Sequence, residues 1–280
     1  MRLNHALKAA AERLEKAGVD DPRREASSIV TLVLGKPTAF HIAHPEYQLT
    51  KREQQRFADV LARREKREPL QYIRGHQEFW GMDFRLAPGI LIPRPETEIL
   101  VEAAIKHLKN VKDPRFVEAG VGSGCISISI LGTIPESRAI ATDISTIALE
   151  VARKNAEAHN VLDRLDLRQM DLLGGVHGRY DAVISNPPYI PNAEIEQLQP
   201  EVRDYEPHTA LSGGPDGLDI VRRLVNDSRH ILRSGGVLIM ETGAGQATAV
   251  ADLFDSLIWG KPDFINDLQA IPRVVIAARR

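Results

Sequence analysis

The segment of this chain most able to do chemistry is Asn186-Pro187-Pro188-Tyr189. Consecutive prolines hold φ near about −65° and carry no N–H, so the backbone is stiff there and its carbonyls stay outside helix and sheet. An asparagine side-chain oxygen beside a fixed Pro187 carbonyl can accept both hydrogens of a planar NH2 group, with the Tyr189 ring lying against its plane. Such a receptacle takes an amide or an exocyclic amine. The lone pair of that nitrogen is delocalised, which makes its alkylation difficult. Drawing both hydrogens toward acceptors localises the pair, and the grip supplies proximity and in-line orientation. The nitrogen becomes cationic on attack and sheds its proton afterwards, so no strong general base is required.

A methyl donor needs its own site, and a second motif offers one: Glu118-Ala119-Gly120-Val121-Gly122-Ser123-Gly124. Glycine serves where the backbone takes positive φ or approaches a ligand closely. A dinucleotide fingerprint would place its third glycine at 125, where Cys125 stands, and a phosphate-binding Gly-Lys-Ser/Thr is absent. The acidic residue before the glycines and a second, Asp143, ending the next apolar run suit a nucleoside instead. Asp143 can accept both ribose hydroxyls in a charge-assisted arrangement, and Glu118 can face the ammonium of an amino-acid moiety or orient the loop. S-adenosylmethionine has those parts and no phosphate, with S-adenosylhomocysteine as its product. The competing reading is a tight structural turn in any α/β protein. Asp171-Leu172 closes a third run, where Leu172 is a candidate apolar contact for the adenine ring. The nine histidines show no metal-ligand spacing, so no metal is expected. Cys125 has no indicated partner base and reads as a small buried helix residue.

The elements that must position these residues alternate from about 113 onward. Apolar runs at Phe116-Val117, Ala139–Thr142, Leu165–Met170, Ala182–Ile184 and Val237–Met240 each read as a buried parallel strand ending in a polar residue. Crossover helices lie between them, at Ile126–Leu131 and Ile147–Ala158. The pattern is a doubly wound α/β sheet, with ligands at the carboxyl ends of the strands, so Glu118, Asp143, Asp171, Asn186 and Glu241 are expected along one edge. Residues 1–75 read as helices only: Leu3, Ala6, Leu7, Ala10 and Leu14 at helical spacing, Asp21-Pro22 as an N-cap, and Thr50-x-x-Glu53 as a capping box. Residues 76–95 read as a β-hairpin linker, followed by a helix opening at Pro95, within a domain spanning 96–280.

Hydrophobic residues at 43% and charged residues at 26% place the chain among ordinary globular proteins rather than disordered or fibrous ones. Its single cysteine excludes an intrachain disulfide framework. No apolar run approaches membrane-spanning length and the amino terminus lacks a signal-peptide core, so no membrane partner and a cytoplasmic location are expected. The net charge of −2 divides into a basic excess of five over residues 1–75 and an acidic excess of seven beyond. The one dense basic spot, Arg63, Arg64, Lys66 and Arg67, is either a face for an acidic or nucleic-acid partner or a normally solvated helix.

Taken together, the chain resembles the bacterial PrmC/HemK family, glutamine methyltransferases of class 1 peptide-chain release factors. The resemblance runs over nearly the whole length: Pro69-Leu70-Gln71-Tyr72-Ile73, Phe79-x-Gly81, Leu91-Ile92-Pro93-Arg94-Pro95-Glu96-Thr97-Glu98, the glycine loop, Asn186-Pro187-Pro188-Tyr189, Gly213-Gly214-x-Asp216-Gly217-Leu218 and Ile271-Pro272-Arg273-Val274-Val275. It implies the class I SAM-dependent methyltransferase fold, a mostly parallel seven-stranded sheet preceded by a small all-α docking domain and the hairpin. It further implies that the acceptor is the glutamine amide in the Gly-Gly-Gln loop of the release factor. Gly120, Val121, Gly122, Ser123, Gly124 and Asp143 would hold the cofactor, with Glu118, Asp171 and Leu172 beside it. Asn186 with the Pro187 carbonyl would clamp the amide, Pro188 and Tyr189 would pack on it, and Arg94 and Glu98 would border the substrate loop. The family usually has Asp where Glu118 stands, and often an aromatic at the position of Leu172. A monomer is expected, without direct contact to nucleic acid. The same chemistry on an adenine exocyclic amine of nucleic acid is the alternative, against which the net charge and a pI of about 6.5 speak.

Overall fold

Leu3, Ala6, Ala10 and Leu14 all fall on one face of helix α1 (Leu3–Lys16), and all four are fully buried. In the computed structural model, which describes residues 1–280, that face packs on α2 (Pro22–Leu34). The Asp21 side chain accepts the Arg24 N–H at 3.4 Å to open α2, and Gly35 closes it. A short α3 (Thr38–Ala43) precedes α4 (Lys51–Glu65), whose capping box is complete: Thr50 Oγ1 accepts the Glu53 N–H at 3.3 Å and Glu53 accepts the Thr50 N–H at 2.7 Å. Helix α5 (Leu70–Arg74) ends at Gly75.

These helices form one compact unit, Met1–Gly75, which also takes in the distant segment Gln199–Tyr205. The reason lies in α4. Arg64, with only 7% of its side chain exposed, bonds to Glu25 and to Glu201 at 2.8 Å each, and Arg67 pairs with the same Glu201. Arg63 pairs with Glu68. Three of the four cations in the basic cluster are thus neutralised inside their own unit, so the cluster is an internal ion-pair network, neither a free basic face nor a normally solvated helix.

The second unit, His76–Leu198 with Glu206–Arg280, opens with an antiparallel hairpin of β1 (His76–Phe79) and β2 (Met82–Arg85), turned at Trp80-Gly81. Helix α6 spans Thr97–Leu108, starting two residues later than Pro95. The chain before it is wound more tightly, with the N–H groups of Thr97, Glu98 and Ile99 bonding three residues back to Arg94, Pro95 and Glu96. Then come β3 (Arg115–Ala119), α7 (Cys125–Thr133), β4 (Arg138–Asp143), α8 (Thr146–Ala158), β5 (Leu165–Gln169) and β6 (Tyr180–Ser185). Three single-turn helices follow, α9 (Asn192–Ile195), α10 (Pro200–Arg203, within the first unit) and α11 (His208–Leu211). The chain finishes with α12 (Asp219–Ile231), β7 (Leu232–Glu241), α13 (Ala247–Ala251), β8 (Asp263–Asn266) and β9 (Pro272–Ala278).

The sheet has seven strands in the order β5-β4-β3-β6-β7-β9-β8. The first five run parallel, while β9 is antiparallel to both β7 and β8. Successive residues of β3 serve opposite faces: Phe116 packs with Leu100, Ala104 and Ile128, and Val117 with Val183, Leu224 and Met240. Each such fully buried side chain contributes about 1.5–3 kcal/mol of transfer free energy. One strand departs from expectation. β5 is an edge strand, and only Leu165 of its five residues is buried; with β4 on one side only, Asp166, Arg168 and Gln169 reach solvent. No helix is long and apolar enough to cross a membrane.

Candidate active site

The winding direction of the sheet reverses between β3 and β6, which are hydrogen-bonded neighbours with Ala119 opposite Ser185. The Ser185 hydroxyl ties the two ends together by donating to the Ala119 carbonyl at 2.7 Å. The next residues along, Gly120 and Asn186, therefore leave the sheet side by side. A switch point of this kind leaves a crevice beyond the strand ends, and here it opens into a cavity of ≈ 1010 Å³ counted to its open mouth, room for a nucleoside-sized ligand. Glu118, Gly120, Val121, Gly122, Ser123, Asp143, Asp171, Leu172, Asn186 and Pro188 all line it. Gly124, Pro187 and Tyr189 adjoin those residues in the chain without being part of the lining.

The glycine loop is held tightly on both sides. Gly124 sits at φ 84° where α7 begins, and a Cβ there would lie 2.8 Å from Ile128 Cδ1 and 3.2 Å from Ala152 Cβ. Asp143 organises the loop from β4: its Oδ2 accepts the Gly122 N–H at 3.0 Å and its Oδ1 the Ser145 N–H at 2.9 Å. Each oxygen keeps a further lone pair for a ligand. Glu118 is wholly buried. One of its oxygens accepts both the N–H and the hydroxyl of Ser127, while the other, Oε1, has no partner in the fold. Burial raises its pKa to about 8, against the pull of the Ser127 bonds and with a smaller push from Asp143. A cation brought to Oε1 would restore its charge. Burial likewise pushes the Cys125 thiol up to about 12, which leaves it inert.

Around the mouth, the Asp171 carboxylate pairs with Arg223 at 2.7 Å. Leu172 holds the left-handed φ of 49°, and its carbonyl accepts the Thr142 hydroxyl at 2.7 Å. Ile144, next to Asp143, stands 54% exposed in the cavity wall. Its signal in the sequence is an apolar residue directly after an acidic strand end, which attention to the carboxylates alone does not reach.

The asparagine corner is fixed by residues to which the sequence alone assigns no such role. Asn186 Nδ2 donates to Thr97 Oγ1 at 3.2 Å, Thr97 Oγ1 donates to Glu241 Oε2 at 2.7 Å, and Tyr189 Oη donates to Glu241 Oε1 at 3.1 Å. Burial pushes the Glu241 carboxyl up, while the Thr97 and Tyr189 donors and Arg273 pull it back. Burial and Glu241 together hold the Tyr189 phenol un-ionised. No donor of the fold takes Asn186 Oδ1, nor the Pro187 carbonyl. Gly213–Leu218 buttresses the corner from outside: Gly217, at φ 78°, passes so near that a Cβ would meet the Tyr189 carbonyl at 2.3 Å, and Gln246 Nε2 donates to that carbonyl at 2.9 Å.

Two further expected residues lie outside the cavity lining. Glu98 does not line the cavity; its carboxylate accepts the Trp80 N–H at 2.7 Å and so fastens the hairpin turn to α6. Arg94 is also outside the lining, paired with the buried Glu206, which in turn accepts the Ile92 N–H at 3.3 Å. The pair holds the segment that carries Ile90, Leu91 and Pro93 into the cavity wall.

Known proteins share both parts of the chain. Residues 5–75 match the family described as PrmC N-terminal domain, and residues 96–199 the one described as Methyltransferase small domain. The release factor glutamine methyltransferase of Moorella thermoacetica is 41% identical over 282 residues, covering 100% of this chain and 99% of the relative. That of Koribacter versatilis is 38% identical over 281 residues, again covering 100% and 99%. This chain belongs to the release factor glutamine methyltransferase family. Among solved structures, a 16S rRNA methyltransferase of T. thermophilus in complex with AdoMet and guanosine superposes with a TM-score of 0.54 at 16% identity. That match covers 73% of this chain and 50% of the other, and it carries the fold alone. The fold is that of the class I methyltransferases, and this member of the family is a methyltransferase.

Proposed function

We propose that this enzyme methylates the side-chain amide nitrogen of the glutamine in the Gly-Gly-Gln loop of class 1 peptide-chain release factors, with S-adenosylmethionine as donor, in the cytoplasm. The chain's residues fit that cofactor. Glu118 lines the cavity and its buried Oε1 has no partner, which suits it to neutralise an ammonium. Asp143 retains lone pairs for two ribose hydroxyls, and Ile144 and Leu172 offer apolar surface for an adenine. When bound, S-adenosylmethionine supplies an electrophilic methyl group.

The chain itself holds the acceptor. Asn186 Oδ1 and the Pro187 carbonyl accept the two hydrogens of the glutamine NH2, which draws its lone pair out of conjugation, while Pro188 and the pinned Tyr189 restrict its plane. Asp171, bound to Arg223, plays the lesser part of a rim charge. The single observation carrying this reading is Asn186, a residue of the cavity lining whose amide is latched through Nδ2 to Thr97 while its oxygen stays uncommitted. The adenine-amine alternative loses support with the basic cluster, because Arg63, Arg64 and Arg67 are paired to Glu68, Glu25 and Glu201.

The test is incubation with labelled S-adenosylmethionine and, in separate reactions, a recombinant release factor and nucleic acid, followed by peptide mass mapping. One methyl on the Gly-Gly-Gln peptide is expected, and its loss in Asn186→Ala with cofactor affinity nearly intact. Label entering nucleic acid and not the release factor overturns the reading.

A further inference from the structure

We propose that Thr97, held by Glu241, is a positioning residue that decides which end of the Asn186 amide faces the acceptor. The proposal rests on the reading of Asn186 as the amide clamp and adds the device that orients it.

The two ends of an asparagine amide are nearly alike in shape and opposite in hydrogen-bonding sense, so a clamp built on Asn works only when its oxygen is turned toward the substrate. Here the choice is made by a chain of single-proton groups. The two oxygens of Glu241 each face a hydroxyl, Oε2 accepting from Thr97 at 2.7 Å and Oε1 from Tyr189 at 3.1 Å. With its one proton committed to Glu241, Thr97 Oγ1 can only accept from Asn186. The Asn186 atom 3.2 Å away must then be the nitrogen, which leaves Oδ1 toward the cavity. Thr97 and Glu241 are each 2% exposed, so their hydrogen bond is largely desolvated. Without the Thr97 hydroxyl the amide is free to turn over and present its own NH2 to the substrate's NH2, donor against donor. The fold brings the three residues together at one place: Thr97 is the first residue of α6, while Asn186 and Glu241 stand at the ends of the neighbouring strands β6 and β7, which pair Ser185 with Met240.

Two substitutions separate hydroxyl chemistry from packing. Thr97→Val keeps the shape and removes the hydroxyl; Thr97→Ser keeps the hydroxyl and removes a methyl. The proposal expects Thr97→Ser to transfer methyl to the release factor near the wild-type rate. Thr97→Val should lose roughly 10- to 100-fold in kcat with little change in KM or in S-adenosylmethionine affinity. The opposite order, Val active and Ser impaired, assigns Thr97 to packing and overturns the proposal. A readout independent of turnover accompanies this: hydrogen exchange of the Asn186 side-chain amide in 15N-asparagine-labelled protein, its signals identified by their absence in Asn186→Ala. Slow exchange of one amide proton in wild type and Thr97→Ser, lost in Thr97→Val, supports the latch even if the release factor proves not to be the acceptor. Exchange unaltered by Thr97→Val overturns it.

Discussion

Replacing Asp143 by asparagine is a near-isosteric change whose effect follows from two bond lengths. The carboxylate accepts the Gly122 N–H at 3.0 Å through one oxygen and the Ser145 N–H at 2.9 Å through the other. Asparagine has one acceptor oxygen, so whichever way it turns, one of those N–H groups meets an NH2. The same turn sets a donor against one of the two ribose hydroxyls. A hydrogen bond to a charged group is worth about 1.5–3 kcal/mol, a range of about 10- to 150-fold in affinity. Asp143 is half-buried, and solvent screening places the expected loss in the lower part of that range, about 10- to 30-fold. Titration calorimetry with S-adenosylmethionine at fixed ionic strength measures it, and thermal denaturation run in parallel should show Tm lower by only about 2–6 °C. A dissociation constant within about twofold of wild type, with the fold intact, would remove Asp143 from the ligand site and with it the nucleoside reading of the cavity.

Further outcomes are expected from the same geometry. The folded-state pKa of Glu118 is raised from 4.5 to about 8, so its contribution to stability is complete below about 4.5 and is lost as pH rises through about 8. Cofactor-free Glu118→Gln should therefore lose less Tm than wild type between those limits, and parallel pH–Tm curves would contradict the assignment. Gly124→Ala forces a Cβ to 2.8 Å from Ile128 Cδ1 at a left-handed φ, and should cost about 1–3 kcal/mol in denaturant unfolding. Arg64→Met strips Glu25 and Glu201 of a shared buried partner, leaving Glu201 only Arg67, and should cost about 3 kcal/mol in the same measurement. A neutral result there would show that the pair is replaceable by packing.

What can be read directly from the chain is whatever depends on residue type at the end of a strand. Asp143 and Asn186 follow apolar runs, and a sheet with parallel strands has one edge at which such residues can meet, so their convergence needs no coordinates. The interior of the site is not legible in that way. Thr97 and Glu241 are 144 residues apart and joined by a single hydrogen bond, which no local periodicity announces. Glu98 has the same residue type as a substrate-facing carboxylate, but its direction depends on where the Trp80 turn lies. β5 reads as a buried strand because Leu165 and Leu167 dominate a short window; its place at the sheet edge depends on topology rather than composition. The two carboxyl-terminal strands, β8 and β9, follow from resemblance rather than from pattern, β8 being a four-residue strand with no fully buried position.

The salt link between Arg64 and Glu201 has a consequence for biosynthesis. The two residues are 137 positions apart, so at ribosomal speeds of about 5–20 residues per second Arg64 is added to the chain roughly 7 to 27 s before Glu201. During that interval the nascent amino-terminal helices can be held only by their apolar contacts and by Glu25. A chain stalled before Gln199–Tyr205 would keep Arg64 on Glu25 and leave Arg67 without its carboxylate.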